Sequence, residues 1–214
     1  MNSQITTAVF DLDGTLVQSH KNIYLATVHS LNELNIKYNL PEEEFYTKIG
    51  HHFEDIFKDF GIVVNDFEEF IKVYKEIYFD YIDSSILYNG VEEVLDELKA
   101  REYKVALLTT KGQEQADRII NHFNLTHNFD YIMGRRPGIA HKPAPDMLLH
   151  ICDELQSKPN ETMIIGDTEL DIECGKNAKA HTCGVSYGYR TKEFLISLKP
   201  DFVVDDITEV LSLI

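Results

Sequence analysis

The sequence predicts an α/β fold, in which a doubly wound parallel sheet carries an inserted α-helical subdomain. Two observations predict this class. Short, continuously apolar runs alternate along the chain with longer segments of helical periodicity, which is the pattern of βαβ units joined by right-handed crossovers. The segment from about His20 to Ile82 breaks this alternation, because it contains helical patterns and no convincing strand.

Six short runs are the predicted strands of the sheet. Each is apolar at consecutive positions, which indicates burial on both faces of a parallel sheet. The first run reads TTAVFD and spans Thr6–Asp11. The others are Lys104–Thr110, Asp130–Gly134, Thr162–Asp167, His181–Ser186 and Asp201–Asp206.

Helical periodicity fills the rest of the chain. Gly90–Ala100 places four apolar residues on one face, and Pro145–Leu155 repeats that pattern with a proline near its start. Three further amphipathic stretches rich in Phe and Tyr lie in the inserted segment, and we interpret their aromatic stripe as core. The predicted domains are residues 1–17 with 86–214 for the α/β core, and residues 18–85 for the helical insertion.

Composition excludes several classes of protein. The 214 residues suit one or two domains, and a 43% hydrophobic content supports a packed core. With 20 Lys and Arg against 36 Asp and Glu, the net charge of −16 disfavours binding to nucleic acid or to an anionic membrane. No apolar run approaches the ~20 residues of a membrane helix, and no signal peptide is visible. We therefore expect a cytoplasmic protein with reduced cysteines, as a monomer or homodimer.

Acidic residues follow two of the predicted strands directly. Asp11 and Asp13 stand in the run DLDGT after the first strand, and Asp167 and Asp171 stand in GDTELD after the fourth. Buried carboxylates are costly unless they are paired or bound to a metal. If these two strands are neighbours, the acids converge at the carboxyl edge of the sheet, where such oxygen ligands favour Mg²⁺.

Candidate phosphate-binding residues also lie at the ends of predicted strands and at the entrance of a helix. Thr109 and Thr110 end the second predicted strand, where hydroxyl and N–H groups suit a phosphate. Lys142, in the run HKPAP, supplies a cation at the entrance of the next helix. Gly14 allows a sharp turn after the acidic pair.

These motifs together resemble the haloacid dehalogenase superfamily of aspartyl-phosphate phosphohydrolases. DLDGT, Thr109, Lys142 and GDTELD match the four family motifs in order. The resemblance implies a Rossmann-like core, and the helical insertion resembles the cap of the phosphoglycolate phosphatase-like branch. Residues Gly175–Arg190 also resemble that branch. The chain departs from the branch at Lys179, where a glycine is usual, and, after the first loop, at Gln18, where an acid is usual.

The resemblance implies a role for each matched residue. Asp11 is the expected nucleophile, and Asp13 the general acid and base. Asp11, Asp167 and the backbone carbonyl of Asp13 are expected to hold Mg²⁺, with Asp171 in support. Thr109 and Lys142 are expected to bind the transferring phosphoryl group.

Some assignments keep alternatives. Asp171 could instead cap the helix that begins near Glu169, and Thr110 could replace Thr109 if the register differs by one residue. In the inserted segment, Lys48, His51 and His52 interrupt the helical patterns. They are candidate substrate contacts, or else part of a solvated turn.

The expected activity is Mg²⁺-dependent hydrolysis of a small phosphomonoester. Phosphoglycolate is the first candidate substrate by resemblance, followed by pyrophosphate, nucleoside monophosphates and sugar phosphates. A sugar phosphomutase of the β-phosphoglucomutase type is the alternative enzyme. A non-catalytic phosphate-binding or interaction module is the alternative outside catalysis, and a dehalogenase is disfavoured because that chemistry needs neither Asp13 nor Mg²⁺.

Overall fold

The structure is a computed structural model that describes residues 4–214 and divides into two compact units. One unit comprises the chain up to Val17 together with Leu87–Ile214, and the other is Gln18–Ile86. The sequence places the second junction one residue earlier, between residues 85 and 86. Residues 1–3 of the predicted core domain lie outside the described residues.

Within residues 4–214, eight strands form two sheets. Six of the strands build one wholly parallel sheet, and the remaining two, each of two residues, pair with each other. The parallel α/β sheet predicted from the apolar runs is confirmed. The strands are β1 (Thr7–Phe10), β2 (Val17–Gln18), β3 (Ile86–Leu87), β4 (Lys104–Gly112), β5 (Tyr131–Arg135), β6 (Thr162–Gly166), β7 (His181–Val185) and β8 (Phe202–Val204).

β1 lies inside the sheet, whose spatial order is β5-β4-β1-β6-β7-β8. Its four residues are fully buried, and they pair with β4 on one side and β6 on the other. The Asp11 N–H donates to the Ile165 carbonyl oxygen at 2.9 Å just beyond the last paired residue. The carboxyl end of β1 therefore lies between those of β4 and β6, as the acidic motifs predict.

Helices flank the strands in chain order. The α-helices are α1 (His20–Glu33), α2 (Glu42–Tyr46), α3 (Phe53–Asp59), α4 (Phe67–Ile77), α5 (Val91–Ala100), α6 (Gln113–His122), α7 (Asp146–Glu154), α8 (Glu169–Ala178) and α9 (Lys192–Ser197). Short 3₁₀ helices span Tyr78–Ser84, Thr126–Asn128, Pro159–Glu161 and Ile207–Ser212. α5 buries the apolar face that its periodicity predicts.

The second unit is mainly helical and contains α1 to α4 and the 3₁₀ helix Tyr78–Ser84. Its aromatic stripe is core, as predicted, because Phe57 and Phe70 are fully buried and their ring centroids lie 5.0 Å apart. The stretch from Pro41 to Phe60 forms α2 and α3 with turns between them, where the sequence interrupts its helical pattern. Gly50, at a φ of 104°, lies in that break.

The described residues fit the compositional expectations. Among them, no helix is both long enough and apolar enough to cross a lipid bilayer. Cys152, Cys174 and Cys183 are buried free thiols.

Candidate active site

Buried carboxylates meet at the carboxyl edge of the parallel sheet. Asp11 follows β1, Asp167 follows β6, and Asp171 lies in the first turn of α8. One carboxylate oxygen from each lies within 4.8 Å of the others, and all three side chains are buried. The strand order thus brings together acids that are separated in sequence by the entire helical insertion.

Lys142 enters this cluster from the loop before α7. Its Nζ donates to Asp11 Oδ1 at 2.6 Å, to Asp171 Oδ1 at 2.6 Å and to the Leu108 carbonyl oxygen at 3.1 Å. Burial alone lowers the pKa of Lys142, but the charges and hydrogen bonds of the two aspartates hold that pKa above its ordinary value. The side chain is therefore an ammonium group, and it is buried rather than on a solvated surface.

Asp171 caps helix α8 and also contacts Lys142. Its Oδ2 accepts hydrogen bonds from the Thr168 N–H at 3.1 Å and the Thr168 hydroxyl at 2.7 Å, within a capping box at the start of α8. Its Oδ1 faces Lys142. One carboxylate therefore fixes both the helix terminus and the buried lysine.

Asp167 lies in a cradle of small residues and donors. Its Oδ1 accepts from the Thr15 hydroxyl at 3.2 Å, and its Oδ2 accepts from the Tyr189 N–H at 2.7 Å. Gly14 has a φ of 83°, and a Cβ there would overlap the Asp167 carboxylate. A Cβ on Gly188 would overlap the same side chain. These two glycines leave space that any other residue would fill.

The cluster carries excess negative charge, which a bound cation would offset. Burial is the main cause that raises the pKa of Asp11 to about 7, and it also raises the pKa of Asp167 well above its ordinary value. Three buried carboxylates face one ammonium group, which leaves two formal negative charges. Clustered carboxylate oxygens are the ligands of a hard divalent cation, so the residues fit a divalent metal.

Asp13 stands apart from this cluster. Its Oδ2 lies 3.0 Å from Lys111 Nζ, and the two side chains are 14% and 10% exposed. Thr109 is buried and its Oγ1 accepts from the Lys111 N–H at 3.2 Å, whereas Thr110 is half-buried. β4 extends two residues past its predicted end, so that Lys111 belongs to the strand.

The candidate contacts of the helical insertion belong to the second unit. Lys48 Nζ lies 2.6 Å from Asp59 Oδ2 within that unit. His51 and His52 are exposed. A substrate-binding role for these three residues stays a prediction.

Sequence reasoning missed several groups around the site. Lys111 is one, although its position directly after Thr109 and Thr110 is a signal. Arg190 is another, and its guanidinium forms a two-point ion pair with Glu169 at 2.8 and 3.0 Å. Tyr187 donates from its hydroxyl to the Thr15 carbonyl oxygen at 2.9 Å. Long side chains that pair across the fold leave no periodic signal in sequence.

Known proteins are similar to this chain over nearly its whole length. Residues 8–185 match the family described as haloacid dehalogenase-like hydrolase. Pyrophosphatase PpaX of Bacillus cereus strain B4264 is 31% identical over 212 residues, covering 99% of this chain and 97% of that protein. Pyrophosphatase PpaX of Bacillus mycoides strain KBAB4 is 30% identical, with the same coverage.

Solved structures share the entire fold. A protein from Haemophilus somnus 129PT, described as a predicted phosphoglycolate phosphatase, superposes with a TM-score of 0.85 at 27% identity, covering 99% of this chain and 98% of that one. The haloacid dehalogenase-like family protein SP0104 from Streptococcus pneumoniae superposes with a TM-score of 0.87 at 26% identity, covering 98% of each chain.

Proposed function

This chain belongs to the haloacid dehalogenase-like hydrolases, and we propose that it is a Mg²⁺-dependent phosphatase that uses Asp11 as its nucleophile. The observation that carries the proposal is the contact of Lys142 with Asp11 inside a buried carboxylate cluster. A lysine held against the nucleophile also lies where the anionic oxygens of a phosphoryl group arrive. The full-length similarity to enzymes named as phosphatases and pyrophosphatases supports it.

The proposed reaction has two displacements at phosphorus. Asp11 attacks the phosphorus atom, the bond from phosphorus to the leaving oxygen breaks, and Asp13 protonates that oxygen. Asp13 then takes a proton from a water molecule, whose oxygen attacks the aspartyl-phosphate and releases phosphate. Lys142 and Thr109 bind the equatorial oxygens in both steps, because negative charge gathers there in the transition state.

The metal is assigned to the same buried oxygens. Asp11, Asp167 and the backbone carbonyl of Asp13 would hold Mg²⁺, which offsets the repulsion between the nucleophile and an anionic substrate. Asp171 supports the site through Lys142, because its Oδ1 accepts from the Lys142 ammonium group while its Oδ2 caps α8. The Thr15 hydroxyl and the Tyr189 N–H orient Asp167 for this role.

We propose pyrophosphate and phosphoglycolate as the first substrates to test. The relatives named as pyrophosphatases favour the former, and the structure described as a predicted phosphoglycolate phosphatase favours the latter. Both are small molecules, and we propose that the protein acts on them in the cytoplasm as a monomer or homodimer.

A screen of small phosphate compounds for released phosphate tests the function. We expect the wild-type protein to release phosphate, and Asp11→Asn to reduce the rate by about a thousandfold or more, because an amide cannot serve as the nucleophile. Asp153→Asn, which changes an exposed aspartate on α7, is the matched control and should retain activity. Full activity in Asp11→Asn would refute the nucleophile, and a wild-type protein inactive on every compound would refute the phosphatase.

A further inference from the structure

We propose that Lys111 determines specificity by binding a second anionic group of the substrate, on the leaving-group side of the bond that breaks. The inference rests on the proposed function, because it requires Asp13 to serve the leaving oxygen. It adds a substrate class, namely phosphate compounds whose leaving group carries its own negative charge.

The position of Lys111 is fixed by its strand. It lies near the end of β4, and its backbone N–H donates to Thr109 Oγ1 at 3.2 Å. Its Nζ lies 3.0 Å from Asp13 Oδ2. The residue proposed to bind the transferring phosphoryl group and the residue proposed to bind the leaving group are therefore two positions apart on one strand.

Two lysines lie at this edge of the sheet, one beside the proposed nucleophile and one beside the proposed general acid. Lys142 is 2% exposed and contacts Asp11 and Asp171, on the side of the nucleophile. Lys111 is 10% exposed and contacts Asp13, on the side of the general acid. The greater exposure of the second pair lets a substrate group reach it from solvent.

The chemistry of the leaving group follows from that contact. In the proposed reaction Asp13 touches the leaving oxygen, so an ammonium group 3.0 Å from Asp13 is within reach of an oxyanion a few bonds beyond that oxygen. In pyrophosphate this oxyanion belongs to the second phosphoryl group, and in phosphoglycolate to the carboxylate. Either one would receive a charge-assisted hydrogen bond from Lys111.

A purely structural role makes a different prediction. If Lys111 only holds Asp13 in place, its loss weakens acid catalysis, which slows ethyl phosphate, with its poorer leaving group, at least as much as the anionic substrates. If Lys111 also binds a leaving-group anion, its loss reduces activity most on substrates that carry one. The ratio of kcat/KM between matched substrates separates the two roles.

Phosphoglycolate and ethyl phosphate are such a pair, because they differ only in a carboxylate that replaces a methyl group beyond the same alkoxide. Pyrophosphate is the second anionic substrate. The variants are Lys111→Gln, which removes the charge, and Lys111→Arg, which keeps it. Lys99→Gln is the matched control, because Lys99 also pairs with an aspartate, Asp130, which immediately precedes the amino end of β5.

We expect the wild-type protein to prefer phosphoglycolate or pyrophosphate over ethyl phosphate. Lys111→Gln should lower that preference roughly tenfold to hundredfold, and Lys111→Arg should keep it within about threefold. Lys99→Gln should behave as wild type. The anionic substrate that responds identifies whether a phosphoryl group or a carboxylate is bound.

An unchanged preference in Lys111→Gln would overturn the inference while leaving the phosphatase intact, as would a wild-type protein with no preference. If neither the wild type nor any variant released phosphate from any of the three substrates, the inference would be contradicted. If the wider screen also failed, the proposed function would fail with it. Thermal unfolding of each variant confirms that the comparison is made between folded proteins.

Discussion

Lys142 Nζ and Asp171 Oδ1 lie 2.6 Å apart in the buried site, while the other carboxylate oxygen of Asp171 caps helix α8. The first turn of that helix therefore positions the lysine that faces Asp11. An uncompensated charge at either end of this pair would be costly, because water does not reach it.

Asp171→Asn tests this link between helix and lysine. The amide keeps a hydrogen-bond acceptor but removes the charge opposite Lys142, so we expect kcat/KM to fall roughly tenfold to hundredfold and the free energy of unfolding to fall by about 1–3 kcal/mol. Phosphate release and urea denaturation measure the two effects.

Glu209→Gln is its matched control. Glu209 occupies the same position in the capping box at Asp206, so its loss should weaken that helix start and leave activity unchanged. Equal activity of Asp171→Asn and wild type would show that α8 does not position Lys142 for catalysis.

Gly14→Ala tests the cradle around Asp167. The new Cβ would overlap the carboxylate at a φ of 83°, so we expect strain and steric conflict together. Gly138→Ala meets the same strain at a φ of 80° with nothing within 4 Å, and should cost about 1–2 kcal/mol of stability with activity retained. Gly14→Ala should lose more stability than Gly138→Ala and most of its activity. Similar losses in the two variants would mean that backbone conformation alone requires Gly14.

Metal removal tests the carboxylate cluster. EDTA should stop phosphate release and Mg²⁺ should restore it. Since a ligand stabilises the folded state by about 2.7 kcal/mol at a hundredfold excess over Kd, saturating Mg²⁺ should raise Tm by roughly 5–10 °C. The shift should disappear in Asp167→Asn and persist in Asp153→Asn. A shift of equal size in Asp167→Asn would place the metal elsewhere.

Lys179→Gly tests whether the lysine that stands at position 179, where the family branch that this chain resembles usually has a glycine, costs stability. Lys179 ends α8 at a φ of 61°, the left-handed conformation that favours glycine. We expect the substitution to raise the free energy of unfolding by about 0.5–1 kcal/mol. Lys176→Gly, one turn earlier, should lower it, because glycine weakens a helix interior. Urea denaturation measures both, and destabilisation by Lys179→Gly would contradict the strain argument.

The sheet and its acidic edge are predictable from sequence because both depend on local patterns. The continuous apolar run before Asp11 indicates a strand that is buried on both faces. An acid directly after such a strand lies at the carboxyl edge of the sheet. The same logic locates Asp167 after β6. The sequence leaves the adjacency of β1 and β6 as a condition, which the observed order β5-β4-β1-β6-β7-β8 meets.

Contacts between side chains from distant segments are not predictable in this way. The contacts of Lys111 with Asp13 and of Arg190 with Glu169 join flexible side chains whose reach exceeds any local pattern. Asp171 poses a different problem, because the sequence presents support of the metal site and capping of α8 as alternatives, and its contact with Lys142 is in neither. The break between α2 and α3 is only partly predictable from the sequence, which shows an interruption of the helical pattern around Gly50.

The order in which the strands are made has a consequence for biosynthesis. β1 lies between β4 and β6 in space, yet its partner β6 is synthesised after the helical insertion and two further strands of the sheet, β4 and β5. A ribosome-bound chain that ends before Asp167 lacks both Asp167 and Asp171. Such a nascent chain contains the nucleophile and most of the fold, but it cannot assemble the carboxylate cluster, so metal binding should report that β6 and the first turn of α8 have been added to the core.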